Sequence, residues 1–145
     1  MPVNAELAGR SYPSAPPYLV GREKVREFSR AVLATSPLNL DPEAARAAGY
    51  TDVVAPPTFA VVVQEHTLAQ LLGDPDAGID FARVVHGDQR FTFTRPVLVD
   101  AEVGADVNVV AKVGVLDDDG ARIDLTVTFN GETVLGKAQV RVALA

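Results

Sequence analysis

His66 and His86 are the only two histidines in the 145 residues, and cysteine is absent. Thiolate nucleophiles, disulfides and Cys-ligated zinc are therefore excluded. The histidines form neither an H-x-x-x-H nor an H-x-H spacing, so no metal centre and no other cofactor is called for. Asp117-Asp118-Asp119-Gly120 lacks the alternating oxygen ligands and distal Glu of a calcium loop, and reads as a hairpin tip. No G-x-G-x-x-G, P-loop or G-x-S-x-G pattern is present, so nucleotide binding and serine hydrolysis have no support. The groups left for general acid–base work are Asp41, Glu65 and His86. Asp41 is better explained as a helix cap, because Pro42 follows it. His66 lies in an apolar helical stretch and reads as a core or interface residue.

The stretch Ala34-Thr35-Ser36-Pro37-Leu38-Asn39-Leu40-Asp41-Pro42, running on to Gly49-Tyr50, resembles the signature of R-specific enoyl hydratases, the MaoC-like branch of the hot-dog fold. That signature reads D-x-N-P-x-H-x-D, followed by a short Ala-rich helix and a Gly-aromatic pair. Pro37, Leu38, Asp41-Pro42 and Gly49-Tyr50 fall in register, whereas the two chemical positions hold Ala34 for the family's Asp and Asn39 for its His. Alanine carries no proton, and an amide has no usable pKa near neutrality. An ordinary loop after a helix would use similar residues, but it leaves the flanking spacing unexplained.

Two further segments fit the same relatives. Where active members carry an Ala-His-Gly run whose backbone N–H polarises the thioester carbonyl, this chain has Ala55-Pro56-Pro57-Thr58-Phe59. Proline has no N–H to offer a developing oxyanion, although Pro57 also suits a first helical turn. His86-Gly87-Asp88-Gln89, opening a strand with Phe91 and Phe93 and closing on Arg95-Pro96, resembles the N-terminal half-domains of MaoC-type dehydratases. It is similar, too, to the HadA-type subunit of mycobacterial (3R)-hydroxyacyl-ACP dehydratases. The resemblance implies that His86 and Gln89 sit at an interface or pocket beside the thioester; a histidine satisfied at a strand start is the alternative for His86.

The elements that must position these residues follow from periodicity. Residues 1–17 are Pro-rich and read as an arm on the body. Tyr18-Leu19-Val20 is a short strand, and Gly21 to Leu33 a helix with Val25, Phe28, Ala31 and Val32 on its apolar face. Asp41 and Gly49 bracket a short second helix. Thr58 to Leu72 is the longest helix, apolar on nearly every face in its first half and hence buried; Gly73 and Pro75 end it. A polar loop spans Asp74 to Asp80. Strands follow at Val84–Thr94, Glu102–Leu116, Arg122–Asn130 and Glu132–Leu144, with hairpin turns at Asp117–Gly120 and Asn130-Gly131.

The expected fold is α+β: residues 1–145 as a single hot-dog domain, a curved antiparallel sheet wrapped around a long central helix, preceded by the arm 1–17. Net charge is −6 with no Lys/Arg cluster, which argues against nucleic acid. No leader peptide or membrane span is recognisable, so a cytoplasmic location is expected. The resemblance implies a non-catalytic, acyl-chain-accommodating subunit of a heteromeric (3R)-hydroxyacyl-thioester dehydratase. Its partners would be an acyl-CoA or acyl-ACP thioester and a hot-dog subunit with an intact D-x-N-P-x-H motif, with homodimers forming when it is isolated. Phe59, Val62 and Val63, with Phe91 and Phe93, are the candidate tunnel wall and serve equally well as plain core; Pro56, Pro57, Thr58, His86 and Gln89 complete the candidate substrate-binding set. Two rivals stand beside this reading: a homodimeric acyl-thioester-binding module, and an active hydratase or thioesterase using displaced groups.

Overall fold

Gly21 opens the first long helix, α1 (Arg22–Ala31), which buries Val25 and Ser29 and rests Phe28 against the core. Ser29 is tolerated inside because its hydroxyl donates to the Val25 carbonyl at 2.6 Å. Ala31 and Val32, expected on the apolar face, are exposed; the stripe that packs inward is Val25, Phe28 and Ser29. The computed structural model that shows this describes residues 3–13, 15–115, 121–130 and 134–144.

A short helix not foreseen from the sequence, α2 (Pro37–Leu40), follows, with the Ser36 hydroxyl capping the Leu38 N–H. Next comes α3 (Pro42–Ala47), whose Asp41 carboxylate accepts from the Glu43 N–H at 2.9 Å. Gly49, at φ 99°, lets the chain reverse so that the Tyr50 N–H reaches the Ala45 carbonyl at 3.0 Å. The central helix begins as a 3-10 turn (Pro57–Phe59) and continues as α4 (Ala60–Leu72), with Gly73 donating back to the Ala69 carbonyl.

The sheet contains β1 (Ser11–Tyr12), β2 (Tyr18–Leu19), β3 (Val84–Phe93), β4 (Glu102–Val115), β5 (Ala121–Asn130) and β6 (Val134–Leu144). Its order is β1-β4-β5-β6-β3, all antiparallel, with β2 also pairing β4. Period-two alternation buries Ile123, Leu125, Val127 and Phe129 of β5 and Ala138, Val140 and Val142 of β6, while Lys137, Gln139 and Arg141 face outward. The buried face forms one cluster with Phe59, Ala60, Val63, Leu68 and Leu71 of the central helix segment. This is the expected hot-dog arrangement. Among the described residues β3 pairs only with β6, so its other edge is open. The expected hairpin turns, apart from Asn130, lie outside the described residues.

The N-terminal arm does more than lie on the surface. Val3, Leu7 and Tyr12 join the core. The Tyr12 hydroxyl donates to Asp74 at 2.6 Å, and the Arg10 guanidinium meets the same carboxylate at 3.2 Å. The loop after α4 therefore anchors the arm, through a 3-10 turn (Pro75–Ala77) that buries Ala77.

Candidate functional site

Asn39 projects from α2 onto the segment that leads into the central helix. Its amide Nδ2 donates to the Val54 carbonyl at 2.6 Å, and the Val54 N–H donates to the Leu38 carbonyl at 2.8 Å. The segment is held on its other side by Ala55 N–H to the Val97 carbonyl at 2.9 Å and by a bridge between Val54 and Leu98. Just upstream, Arg22 grips Asp52 through Nε and Nη2, at 3.0 and 2.6 Å, while Asp52 accepts from the Val53 N–H at 2.7 Å. The hydrogen bond from Arg22 holds the Asp52 carboxyl below the usual carboxylate range. Ala34 and Asn39 are both half-buried, and the Asn39 amide is already engaged with backbone. This arrangement orients the segment that leads into the central helix.

Pro56 is buried, and its carbonyl accepts from the Phe59 N–H at 2.8 Å, closing the 3-10 turn. Pro57 and Thr58 are exposed. With two prolines in succession, Thr58 is the first residue of the turn that has an N–H at all. Phe59 is wholly buried, edge-on to Phe28 with ring centres 5.4 Å apart and tilted against Tyr18 at 6.3 Å. It is packed as core and offers no surface to a ligand. Val63 is buried likewise and Val62 half-buried.

β3 carries the other candidates. A register shift between His86 and Asp88 places Gly87 as an extra residue against β6. His86 consequently pairs with Val142 and Gln89 with Val140, two valines buried on the inner face. Strict alternation would have put His86 and Gln89 on opposite faces; the bulge turns both inward. Gln89 meets Gln64 of α4 in a reciprocal amide pair, Gln64 Nε2 donating to Gln89 Oε1 at 2.9 Å and Gln89 Nε2 to Gln64 Oε1 at 3.0 Å. Gln64 is completely buried, so this pair satisfies an amide that would otherwise be stranded. Sequence reasoning passed over Gln64, although an amide among Val61, Val62, Val63 and Leu68 is a visible exception in a buried helix.

Phe91 and Phe93 stack at 5.6 Å and both pack on Phe129, at 6.3 and 5.7 Å. Gly136 lies opposite Phe93 and Phe129, and a Cβ there would come within 2.4 Å of the Thr92 carbonyl oxygen. Glycine is what allows the three rings to close over β6. His66, expected in the core or at an interface, is exposed on α4, its ring stacked on Tyr18 at 5.5 Å. The run Val61–Val63 had suggested an all-round apolar helix, but burial narrows to one face from Gln64 onward.

A cavity of about 260 Å³ opens beyond the amide pair. Leu68, Leu71 and Leu72 of α4, Val84 of β3 and Ile123 and Leu125 of β5 supply apolar walls, while Glu65 and His86 are its polar lining residues. Both polar residues are exposed. The site candidates thus fall into two groups: Asn39 and Pro56 to Thr58 around the entry to the central helix, and Gln89, Phe91 and Phe93 along the inner face of β3, with His86 at the cavity; Ala34 follows α1, its N–H on the Ser29 carbonyl.

Related proteins match this arrangement. A UPF0336 protein of Leifsonia xyli subsp. xyli is 63% identical over 111 residues, covering 77% of this chain and 74% of that protein. Among solved structures, the HadBC (3R-hydroxyacyl-ACP dehydratase) complex of Mycobacterium tuberculosis superposes with a TM-score of 0.83 at 25% identity, over 94% of this chain and 96% of the matched one. A MaoC-like dehydratase superposes with a TM-score of 0.80 at 29% identity, over 94% of this chain but 42% of the larger protein. Residues 6–122 match the family described as the FAS1-like dehydratase domain region. The chain belongs to that family and, with its curved sheet around a central helix, is a MaoC-like hot-dog protein of the dehydratase type.

Proposed function

We propose that this chain is the non-catalytic, acyl-chain-accommodating subunit of a heteromeric (3R)-hydroxyacyl-thioester dehydratase, acting on acyl-CoA or acyl-ACP. The observation that carries the reading is the pair Ala34 and Asn39. One has no functional group, and the other's amide is tied to the Val54 carbonyl, so the water-activating Asp and His must come from elsewhere. A second hot-dog subunit with an intact D-x-N-P-x-H motif would supply them. The open edge of β3 and the exposed Val85 upon it support association through that strand, since such edges are normally covered. The HadBC relative is itself described as a complex. In the absence of its partner, the same edge would pair two copies of this chain. The family, and the lack of any helix among the described residues long and apolar enough to cross a membrane, fit a cytoplasmic dehydratase.

The deciding experiment is purification from the native host with whatever partners remain bound, followed by assay of the assembly and of the chain alone with crotonyl-CoA. Acid–base catalysis contributes roughly 10²–10⁴-fold and an oxyanion donor roughly 10²–10³-fold, so the chain alone should stay near background. Turnover only by the assembly with a second hot-dog subunit supports the proposal. Hydration by the pure chain within about tenfold of an ordinary hydratase refutes it. One observation favours a second reading: Glu65 and His86 line a common apolar cavity, a placement suited to a thioester hydrolase. Hydrolysis of acyl-CoA by the pure chain, abolished by Glu65→Gln, would select that reading.

A further inference from the structure

The cavity of about 260 Å³ beside α4 has a buried floor and an open rim. The floor is made by Leu71, Ile123 and Leu125, each at most 2% exposed. The rim is made by Glu65, Phe81 and His86, all open to solvent. Every other lining side chain, among the described residues, is aliphatic. The cavity is therefore a blind recess with dry walls, entered from its own side of the molecule beside the start of β3. Close-packed interiors leave few such spaces. Phe81 is a second anomaly, because its ring is 69% exposed at that rim. It stands on the 3-10 turn Phe81–Arg83, which the Asp80 carboxylate caps by accepting from the Ala82 N–H at 3.1 Å. The rings of Phe59, Phe91 and Phe93, by contrast, spend their faces on one another and on Phe28 and Phe129.

We propose that this recess binds the methyl end of a saturated acyl chain, which enters past Phe81 and is stopped by the floor of Leu71, Ile123 and Leu125. The inference rests on the reading of this chain as an acyl-chain subunit and adds where the tail lies and how much of it is buried. The length follows from the volume. A dry cavity of about 150 Å³ holds benzene, so about 260 Å³ holds on the order of ten carbons at the same density. The far end of the ligand must be apolar, because no described side chain on the floor can pair with a hydroxyl or carboxyl group. The polar end stays at the rim, where Glu65 and His86 remain in water. Phe81 covers the carbons at the mouth, which gives its exposed ring a partner.

The test titrates the purified full chain calorimetrically with unreactive S-alkyl coenzyme A thioethers of increasing chain length. Affinity should rise about fourfold per methylene from butyl to octyl. From decyl to tetradecyl it should change less than about threefold, because the surplus carbons stay in water. An ω-hydroxyoctyl thioether should bind at least about tenfold more weakly than the octyl one, its buried hydroxyl having no partner. Leu72→Trp, which fills the recess from a half-buried wall, should abolish the length dependence. If that variant does not fold, Val84→Phe, also at a half-buried wall, carries the same comparison. Phe81→Ser, a change at the surface, should lower octyl affinity about fourfold, the worth of one covered methylene. Affinity that keeps climbing to tetradecyl, equal binding of the hydroxylated tail, a length dependence that survives filling, no effect of Phe81→Ser, or no binding of any thioether overturns the proposal. The dehydratase proposal fails separately, through an inactive assembly or the lack of a hot-dog partner.

Discussion

The Asn39 side chain donates to the Val54 carbonyl at 2.6 Å while the Val54 N–H donates to the Leu38 carbonyl at 2.8 Å. Residues 38, 39 and 54 thereby form a two-bond clasp between α2 and the run-in to the central helix. In the function proposed above, the residue that stands for the catalytic histidine of the hydratase signature serves instead as a structural amide.

Asn39→Leu should therefore destabilise the protein by about 1–2 kcal/mol, since the Val54 carbonyl loses its side-chain donor in a half-buried setting. Urea unfolding followed by far-ultraviolet circular dichroism measures this. An unchanged midpoint would mean that solvent replaces the amide without loss.

Leu33 ends α1 at φ 58°, a left-handed conformation ordinarily taken by glycine, and its side chain is 83% exposed. The Ala34 N–H still closes on the Ser29 carbonyl at 2.8 Å, so the termination needs the conformation and not the leucine. Leu33→Gly should stabilise the fold by about 0.5–1 kcal/mol, relief of strain outweighing the extra chain entropy of glycine. A fall in thermal midpoint would imply that the leucine packs against something in solution.

What could be read from the sequence depended on the range of the interactions. Asp41-Pro42 and Gly49 marked α3 correctly because caps act within four residues. The alternation in β5 likewise reported its buried face directly. The Gln64–Gln89 pair was invisible because it joins residues 25 apart through a bulge that no local pattern announces. The same bulge brought His86 and Gln89 to one face against the period-two rule. His66 lies outside the core because burial on α4 narrows to one face after the apolar run that precedes it. Leu33 gave no signal, since nothing in its identity suggests a left-handed residue. The cavity was missed because its walls come from α4, β3, β5 and β6 together. The bond from Asn39 to the Val54 carbonyl was illegible for the same reason, since it joins residues 15 apart.

The N-terminal arm should loosen in acid. The hydrogen bond from Tyr12, followed by that from the Asp76 N–H, holds the Asp74 carboxyl below its ordinary range. A depressed folded-state pKa means that the stabilisation is present above the ordinary carboxylate value, about 4, and is lost as pH falls through the lower folded value. Hydrogen exchange at Leu7 and Arg10, whose N–H groups donate to the carbonyls of Asn4 and Leu7, should accelerate beyond the intrinsic pH trend as the pH is lowered from 5 toward 2, a range set by that carboxylate value. In Asp74→Asn the additional acceleration should vanish. Its persistence there would place the titrating group elsewhere.

Restoring the hydratase pair, as Ala34→Asp with Asn39→His, should not by itself restore full activity. The register of Pro37 and Asp41 is intact, and α2 and α3 hold it, so the new side chains would stand where the signature requires them. The thioester carbonyl would still face the turn that begins at Pro57, and proline offers no N–H there. Adding Pro57→Gly supplies that donor, and the triple variant should exceed the double by roughly 10²-fold in crotonyl-CoA hydration, the contribution of one oxyanion donor. Glycine at the first position of the turn lowers helix stability, so the melting temperature is measured in parallel and the comparison made well below it. Equal rates from the double and triple variants, both well above background, would show that the polarising donor belongs to Thr58 or another residue and that Pro57 stands outside the carbonyl's reach.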